Sequence, residues 1–276
     1  VALSRLQEIL DEAVEPAGYD EYQPEIKGDI EFDNVYFEYE QGKPVLNNVS
    51  FRIKRGQTVA ILGATGSGKS SLVHLLLRLY DYQGGTIKID GIELKKINRK
   101  WLRRNIGIAL QEPFLFSKTV KENIAIGKPN TQDSEIFSAA TVACIHNTIQ
   151  NFEKGYETLV GERGVTLSGG QRQRLSIART IIRDVPVLIF DDSLSAVDME
   201  TDAAIRKALK ERRKNVTTII ISHRITTLAE ADVIFVLDRG KIVQSGTHEE
   251  LIKQDGLYRR VWLIQNSLEE ELAGIV

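Results

Sequence analysis

The chain has 276 residues, and 36 Lys and Arg stand against 38 Asp and Glu, which gives a formal net charge of −2. A charge this close to zero offers no overall attraction for nucleic acid, so no nucleic-acid partner is expected. The single cysteine, Cys144, excludes an internal disulfide and a multi-cysteine metal site and favours a reducing compartment. No apolar run approaches the roughly 20 residues that a membrane-spanning helix needs. The sequence therefore predicts no membrane span, and its start lacks the pattern of a secretory signal.

Residues 1–15 predict an amphipathic helix, because apolar side chains recur there at steps of three and four residues. Pro16 and Gly18 then interrupt the pattern and indicate a linker. Two interpretations stay open: the helix packs on its own domain, or it is the end of an upstream domain. We expect residues 1–27 to form this helix and linker, and residues 28–276 to form the main domain.

The rest of the chain predicts alternating strands and helices. The predicted strands are Asp29–Phe37, Val49–Ile53, Thr58–Leu62, Thr86–Asp90, 185–190, 216–221 and 232–237, and the predicted helices are Ser70–Tyr80, 198–213 and 224–230. A mostly helical block, about 113–183, separates the early strands from the late ones. This order predicts an α/β fold with a mostly parallel sheet, an N-terminal antiparallel β subdomain and an inserted α-helical subdomain.

A glycine-rich segment lies between the predicted strand that ends at Leu62 and the helix that begins at Ser70. It fits the P-loop pattern G-x-x-x-x-G-K-[ST] and consists of Gly63, Ala64, Thr65, Gly66, Ser67, Gly68, Lys69 and Ser70, with Ser71 next. Glycines let backbone N–H groups surround phosphate oxygens, and a helix N-terminus adds unpaired N–H groups. Lys69 would neutralise phosphate charge, and the Ser70 hydroxyl would ligate Mg²⁺. The alternative is a glycine-rich surface turn, but the flanking strand and helix favour nucleotide binding.

Two carboxylates, Asp191 and Asp192, end the apolar run Val187–Phe190. Charge at the rim of a core is costly and therefore needs a reason. Asp191 is expected to hold Mg²⁺, and Asp192 lies where a base could polarise an attacking water. The alternative is an acidic helix N-cap, which does not explain why the chain also carries a phosphate loop.

A third motif, Leu167-Ser168-Gly169-Gly170-Gln171, precedes a predicted helix. Together with the P-loop and the acidic strand end, it resembles the signature of the nucleotide-binding domains of ATP-binding-cassette (ABC) proteins. The resemblance covers about residues 28 to 265. It implies a P-loop ATPase fold, and an enzyme that binds ATP and Mg²⁺ and converts ATP and water to ADP and phosphate.

Four other positions match the family in the expected order. The resemblance implies that Tyr39 stacks on adenine and that Gln111 contacts Mg²⁺ and the attacking water. It implies that Ser195–Asp198 is the D-loop, which passes information across a dimer, and that His223 touches the γ-phosphate. Asp192, His223 and Gln111 are then the candidate catalytic residues, and Ser70, Gln111 and Asp191 the candidate metal ligands. Taken singly, Tyr39 could be a half-buried strand residue, and His223 a loop histidine.

The resemblance also implies that two such domains face each other head to tail. ATP would lie between the P-loop of one domain and four residues of the other, namely Ser168, Gly169, Gly170 and Gln171. A helix N-terminus and glycine amides form a reasonable second anion site. ATP would therefore hold two domains together, and hydrolysis would release them.

The segment Thr158–Gly164, with Glu162, resembles the X-loop of exporter-type domains. Exporter similarity implies a transmembrane domain that precedes this one in the same polypeptide, at the cytoplasmic face of the cell membrane. Two alternatives are a nucleotide-gated dimerisation module with little or no hydrolysis, and a soluble ABC ATPase outside transport.

The chain departs from the family at Asp192, where the family has Glu. A carboxylate that is shorter by one methylene sits about an ångström further back, and a misplacement of that size can lower a rate about 100-fold. We therefore expect a degenerate site. The resemblance to exporters implies that the chain is one half of a heterodimer, since one half of such exporters commonly carries this substitution. A homodimer in which Asp192 works adequately is the alternative.

Overall fold

The computed structural model describes residues 7, 10, 11, 22–161, 167–195, 197–212 and 215–273. Of the helix predicted for residues 1–15, Gln7, Leu10 and Asp11 are helical, and the remainder lies outside the described residues. No helix within the described ranges is long and apolar enough to cross a bilayer.

Strands and helices alternate along the chain as expected for an α/β fold. The strands are β1 (Ile30–Glu38), β2 (Pro44–Ile53), β3 (Thr58–Gly63), β4 (Gly84–Ile89), β5 (Ile92–Glu93), β6 (Ile106–Ala109), β7 (Val187–Asp191), β8 (Thr217–Ile221), β9 (Val233–Asp238) and β10 (Lys241–Gly246). The α-helices are α1 (Lys69–Leu76), α2 (Arg99–Asn105), α3 (Val120–Ala125), α4 (Asp133–Val142), α5 (His146–Gln150), α6 (Gly169–Ile181), α7 (Met199–Arg212), α8 (Ile225–Leu228), α9 (His248–Leu251) and α10 (Leu257–Ala273).

The N-terminal part forms an antiparallel sheet with the order β2-β1-β4-β5. Ile30 lies at its centre, opposite Ile53 on one side and Ile89 on the other, and all three side chains are fully buried. Burial alternates on β1 at Ile30 and Phe32 and again at Val35 and Phe37, with a shift of phase between the two pairs where the register with β2 is irregular. The predicted antiparallel subdomain is confirmed.

The second sheet has the order β10-β9-β3-β8-β7-β6 and is parallel except for the β10–β9 pair. Every residue of β7 is buried, and so are five of the six residues of β3. Such strands are apolar along their whole length because both faces are covered. Strands β6 and β10 were not among the sequence predictions.

The helical block separates the early strands from the late ones, as predicted; it lies between β6 and β7 and contains α3 to α6. Its buried residues Ile124, Ile136, Ala140 and Leu175 are each at most 1% exposed, and they belong to one hydrophobic cluster with Phe190 of β7. It is less continuously helical than the prediction of 113–183, because Thr119 bridges Leu159 in an extended arrangement.

Two other predicted helices are shorter in the structure. The helix predicted for Ser70–Tyr80 ends at Leu76, because Arg78 adopts a left-handed backbone with φ 49°. The helix predicted for 224–230 is the single turn Ile225–Leu228.

Candidate nucleotide-binding site

The P-loop connects the buried strand β3 to helix α1. Gly66 and Gly68 have φ values of 80° and 105°, a conformation that residues with a Cβ rarely adopt. A Cβ on Gly68 would also lie 2.8 Å from Leu46 Cδ2 and 3.0 Å from the Val45 carbonyl oxygen. Gly68 caps α1 without a side-chain hydrogen bond, so the first amides of the helix are free to face an anion.

Lys69 is buried inside this loop. Its Nζ donates to the carbonyl oxygens of Gly63 at 2.8 Å and Ala64 at 2.9 Å. Burial lowers the pKa of Lys69, and the charges of Asp191 and Asp192 oppose that shift. The nearby Ser67 Oγ is buried and has no hydrogen-bond partner within the described part of the chain. A desolvated cation and an orphaned hydroxyl in a glycine cradle fit a phosphate group.

The parallel strands bring the other predicted residues to the same edge of the sheet. In register, Ile61 of β3 and Asp191 of β7 both pair with Ile221 of β8, and Phe190 pairs with Ala109 of β6. The P-loop, His223, Asp192 and Gln111 follow the carboxyl ends of these adjacent strands. This edge is where ligands bind in open α/β sheets. His223 and Gln111 are both exposed there.

Asp191 is 7% exposed, and its carboxyl interacts with Ser70, the residue that follows Lys69 on α1. Burial raises the pKa of its carboxyl, and a hydrogen bond from the Ser70 hydroxyl is the largest opposing effect. The hydroxyl and the carboxylate are oxygen ligands of the kind that Mg²⁺ prefers. The pair fits a magnesium ion whose other ligands are phosphates and water.

Asp192 occupies a tight turn after β7. Its φ is 46°, and its N–H donates to the Ile221 carbonyl oxygen at 2.9 Å. Its own carbonyl oxygen accepts from the Ser195 hydroxyl at 2.6 Å and the Ser195 N–H at 3.2 Å. Its Oδ1 is buried without a hydrogen-bond partner in the described residues. The main chain is thus held in place while the carboxylate remains available.

Tyr39 lies beside the P-loop helix. Its hydroxyl is 3.1 Å from both Ser71 Oγ and His74 Nδ1, which are one turn apart on α1. Its ring packs edge-on against Phe37 and Tyr80, with centroid distances of 4.7 and 4.9 Å. Tyr39 is nevertheless 47% exposed, which leaves room for a planar ligand beside it. His74 is not among the sequence predictions, because its contact joins it to a residue 35 positions away in the chain.

The LSGGQ segment caps helix α6. The Ser168 hydroxyl accepts from the Gln171 N–H at 3.3 Å, and the Gln171 side-chain oxygen accepts from the Ser168 N–H at 2.9 Å, which is a capping box. Ser168 and Gly169 are exposed, and a Cβ on Gly169 would meet no atom of the described residues within 4 Å. Further along α6, the buried Gln173 donates to the Leu110 carbonyl oxygen at 2.9 Å, directly before Gln111.

Glu162, the central residue of the predicted X-loop, lies outside the described residues. A neighbouring surface is described: Phe114 is 69% exposed and packs edge-on against Phe116. Arg179 of α6 donates to the Phe114 carbonyl oxygen at 2.7 Å and ties this loop to the helical subdomain.

Known proteins resemble the chain along most of its length. A family profile described as "ABC transporter" matches residues 46–195. YgaD of Bacillus subtilis (strain 168) is 46% identical over 243 residues, which are 88% of this chain and 42% of that protein. ABC transporter B family member 4 of Dictyostelium discoideum is 46% identical over 90% of this chain and 32% of that protein.

A solved structure, described as a bacterial Atm1-family ABC exporter with ATP bound, superposes with a TM-score of 0.89. It is 37% identical and matches 95% of this chain and 46% of its own chain. The chain therefore belongs to the ABC transporter family and carries that family's ATP-binding ATPase domain. It spans less than half the length of these relatives.

Proposed function

We propose that the chain is the ATP-binding and ATP-hydrolysing domain that powers transmembrane export, at the cytoplasmic face of a cell membrane. The observation that carries the proposal is the sheet edge at which the buried Lys69 and the Ser70–Asp191 pair lie together. The relatives support the exporter assignment, since one solved relative is described as an ABC exporter. A transmembrane domain of the same polypeptide would be the coupled partner, with residues 1–27 as the connection to residues 28–276.

The P-loop residues Gly63 to Ser71 would hold the triphosphate with their amides, and Lys69 would exchange its two carbonyl partners for phosphate oxygens. Tyr39 would stack on adenine with its exposed face. Ser70, Asp191 and Gln111 would hold Mg²⁺, which when bound neutralises phosphate charge. Asp192 would accept a proton from the attacking water, and His223 would hydrogen-bond the γ-phosphate.

A second nucleotide-binding domain would complete the site. The exposed N-terminus of α6, with Ser168, Gly169, Gly170 and Gln171, would bind the γ-phosphate of ATP held by another domain. The open space that a Cβ on Gly169 would meet among the described residues supports this role. ATP would then favour the closed dimer, hydrolysis would release it, and the cycle would move the membrane domain.

The Asp192 site would be the slow site of a heterodimer. The Asp192 main chain is fixed at Ile221 and Ser195, so the shorter side chain cannot be offset by a simple shift of the turn. The second nucleotide-binding domain would then come from a different subunit that carries Glu at this position.

Steady-state ATP turnover of the purified protein and its Asp192 variants tests this proposal. We expect slow turnover for the natural protein. Turnover should rise about ten- to hundredfold for Asp192→Glu, because the longer side chain restores the position of the carboxylate. Asp192→Asn should have no turnover. Fast natural turnover that Asp192→Asn abolishes would contradict the degenerate site and favour a working homodimer. An absence of Mg-ATP binding in all three proteins would contradict the ATPase assignment.

The same Asp192 substitution supports a second candidate, a nucleotide-gated dimerisation module. In that case ATP would assemble the protein with its partner, yet turnover would stay at background even in the presence of that partner. A soluble ABC ATPase outside transport would instead be indicated if the full natural protein had no membrane-associated part.

A further inference from the structure

Arg224 follows His223 on the loop after β8 and reaches across to the segment that follows Asp192. Its guanidinium donates to the carbonyl oxygens of Ser195 and of Val197, the latter at 2.6 Å, with a longer contact of 3.4 Å to Leu194. The two segments are about 30 residues apart in sequence. One side chain thus joins the loop of His223 to the turn of Asp192.

The contacted segment is the one that holds Asp192 in its unusual conformation. A left-handed backbone costs a residue with a Cβ about 1–2 kcal/mol, so surrounding contacts must maintain it. Here the Ser195 hydroxyl and N–H bond the Asp192 carbonyl oxygen, while Arg224 holds Ser195 from its other side. The order of contacts is Arg224 to Ser195 to Asp192.

A guanidinium suits this position because it is planar, always charged, and presents several donors in a fixed geometry. An ammonium group supplies the same charge but cannot meet several carbonyl oxygens in one plane. Arg224 is partly buried, and its main-chain N–H donates to the Ser222 hydroxyl at 3.1 Å. The arginine itself is therefore well fixed.

We propose that Arg224 is a positioning residue that sets the Asp192 turn from the loop of His223. The proposal rests on the proposed function where it concerns catalysis, and on the contacts alone where it concerns the turn. A displacement of the His223 loop would then displace the segment 194–197 and the Asp192 carboxylate with it.

The test compares Arg224→Lys with Arg183→Lys in the full natural protein. Arg183 is a matched control because its guanidinium also binds main-chain carbonyl oxygens, those of Arg103, Arg104 and Ile106, at the opposite end of the sheet. One readout is amide hydrogen exchange of residues 191–199 without nucleotide. The other is the kcat of this subunit purified without a partner subunit, so that turnover reports the Asp192 site, set against the Kd for Mg-ATP.

For Arg224→Lys we expect at least fivefold faster exchange in residues 191–199, about a tenfold lower kcat, and a Kd within twofold of the natural value. Arg183→Lys should accelerate exchange only around residues 103–107 and leave kcat unchanged. Unaltered exchange in residues 191–199, or equal loss of kcat in both variants, would overturn the positioning role. If Arg224→Lys exchanges faster in residues 191–199 but the natural protein does not hydrolyse ATP, the restraint on the turn is supported and the ATPase proposal is contradicted.

Discussion

At the scale of single residues, Asp191 stands out because its carboxylate is buried where water cannot solvate its charge. Burial raises its pKa above the usual value of 3.8, despite the Ser70 hydroxyl and the nearby charges of His74 and Lys69. The folded state therefore holds the proton more tightly than the unfolded state does. The contribution of Asp191 to the free energy of unfolding is therefore largest below about pH 3.8. It falls as pH rises from about 3.8 through the raised pKa, and it is smallest above that pKa.

Asp191→Asn removes this charge and is expected to raise the melting temperature of the nucleotide-free protein at pH 7. The gain should shrink as pH falls towards the raised pKa, because the natural carboxyl becomes protonated there. The same change should weaken Mg²⁺-dependent ATP binding about ten- to hundredfold, since a charge-assisted contact is worth about 1.5–3 kcal/mol. Thermal melts across pH and binding titrations with and without Mg²⁺ check both effects. A lower melting temperature at pH 7 would contradict the desolvation argument.

Residue spacing identified Lys69, Ser70 and Asp191 because a phosphate loop and an acidic strand end are local patterns. His74 and Arg224 escaped notice because their contacts depend on chain segments about 30 residues away. The free Asp192 Oδ1 is likewise a property of packing and has no counterpart in the sequence.

At the scale of elements, the capping box of α6 has two expected roles that can be separated. Ser168→Ala removes the cap and should lower the free energy of unfolding by about 1 kcal/mol. Thr247→Ala is a matched control, because Thr247 and Glu250 form the same capping box on α9. Both variants should lose similar stability, but only Ser168→Ala should impair association with the second domain in Mg-ATP. Sedimentation with trapped Mg-ATP, beside chemical unfolding, distinguishes the two. Equal association would exclude Ser168 from the shared site.

The missed elements have local explanations. Strand β6 has four residues and includes Gly107, which weakens any strand signal, yet a Cβ there would lie 2.8 Å from Leu188 Cδ2. Its formation depends on pairing with β7, which follows only after the helical subdomain. Strand β10 lies at the edge of the sheet and contains polar residues, so it lacks the apolar run of a buried strand. Helix α1 was predicted to be longer because Leu77 and Leu79 continue its apolar spacing.

At the scale of the whole molecule, Thr217 links the segment that leads into the antiparallel sheet to the parallel sheet. Its buried hydroxyl donates to the Gly28 carbonyl oxygen at 2.8 Å and accepts from the Gly56 N–H at 3.0 Å. Gly28 has φ 106°, and a Cβ there would lie 2.6 Å from the Thr217 hydroxyl oxygen. Distant parts of the sequence thus meet at one side chain on β8.

Thr217→Val keeps the shape of the side chain but removes the partner of the buried Gly28 carbonyl and of the partly buried Gly56 N–H. Each unsatisfied group costs about 1–3 kcal/mol, so we expect a loss of about 2–4 kcal/mol in the free energy of unfolding. At about 2–4 °C per kcal/mol for a chain of this size, the melting temperature should fall by roughly 4–16 °C. The adjacent Thr218 makes only a 3.5 Å contact with the Val216 carbonyl oxygen, so Thr218→Val should change stability by less than about 0.5 kcal/mol. If calorimetry finds both variants equally stable, the Thr217 hydroxyl does not hold the two sheets together.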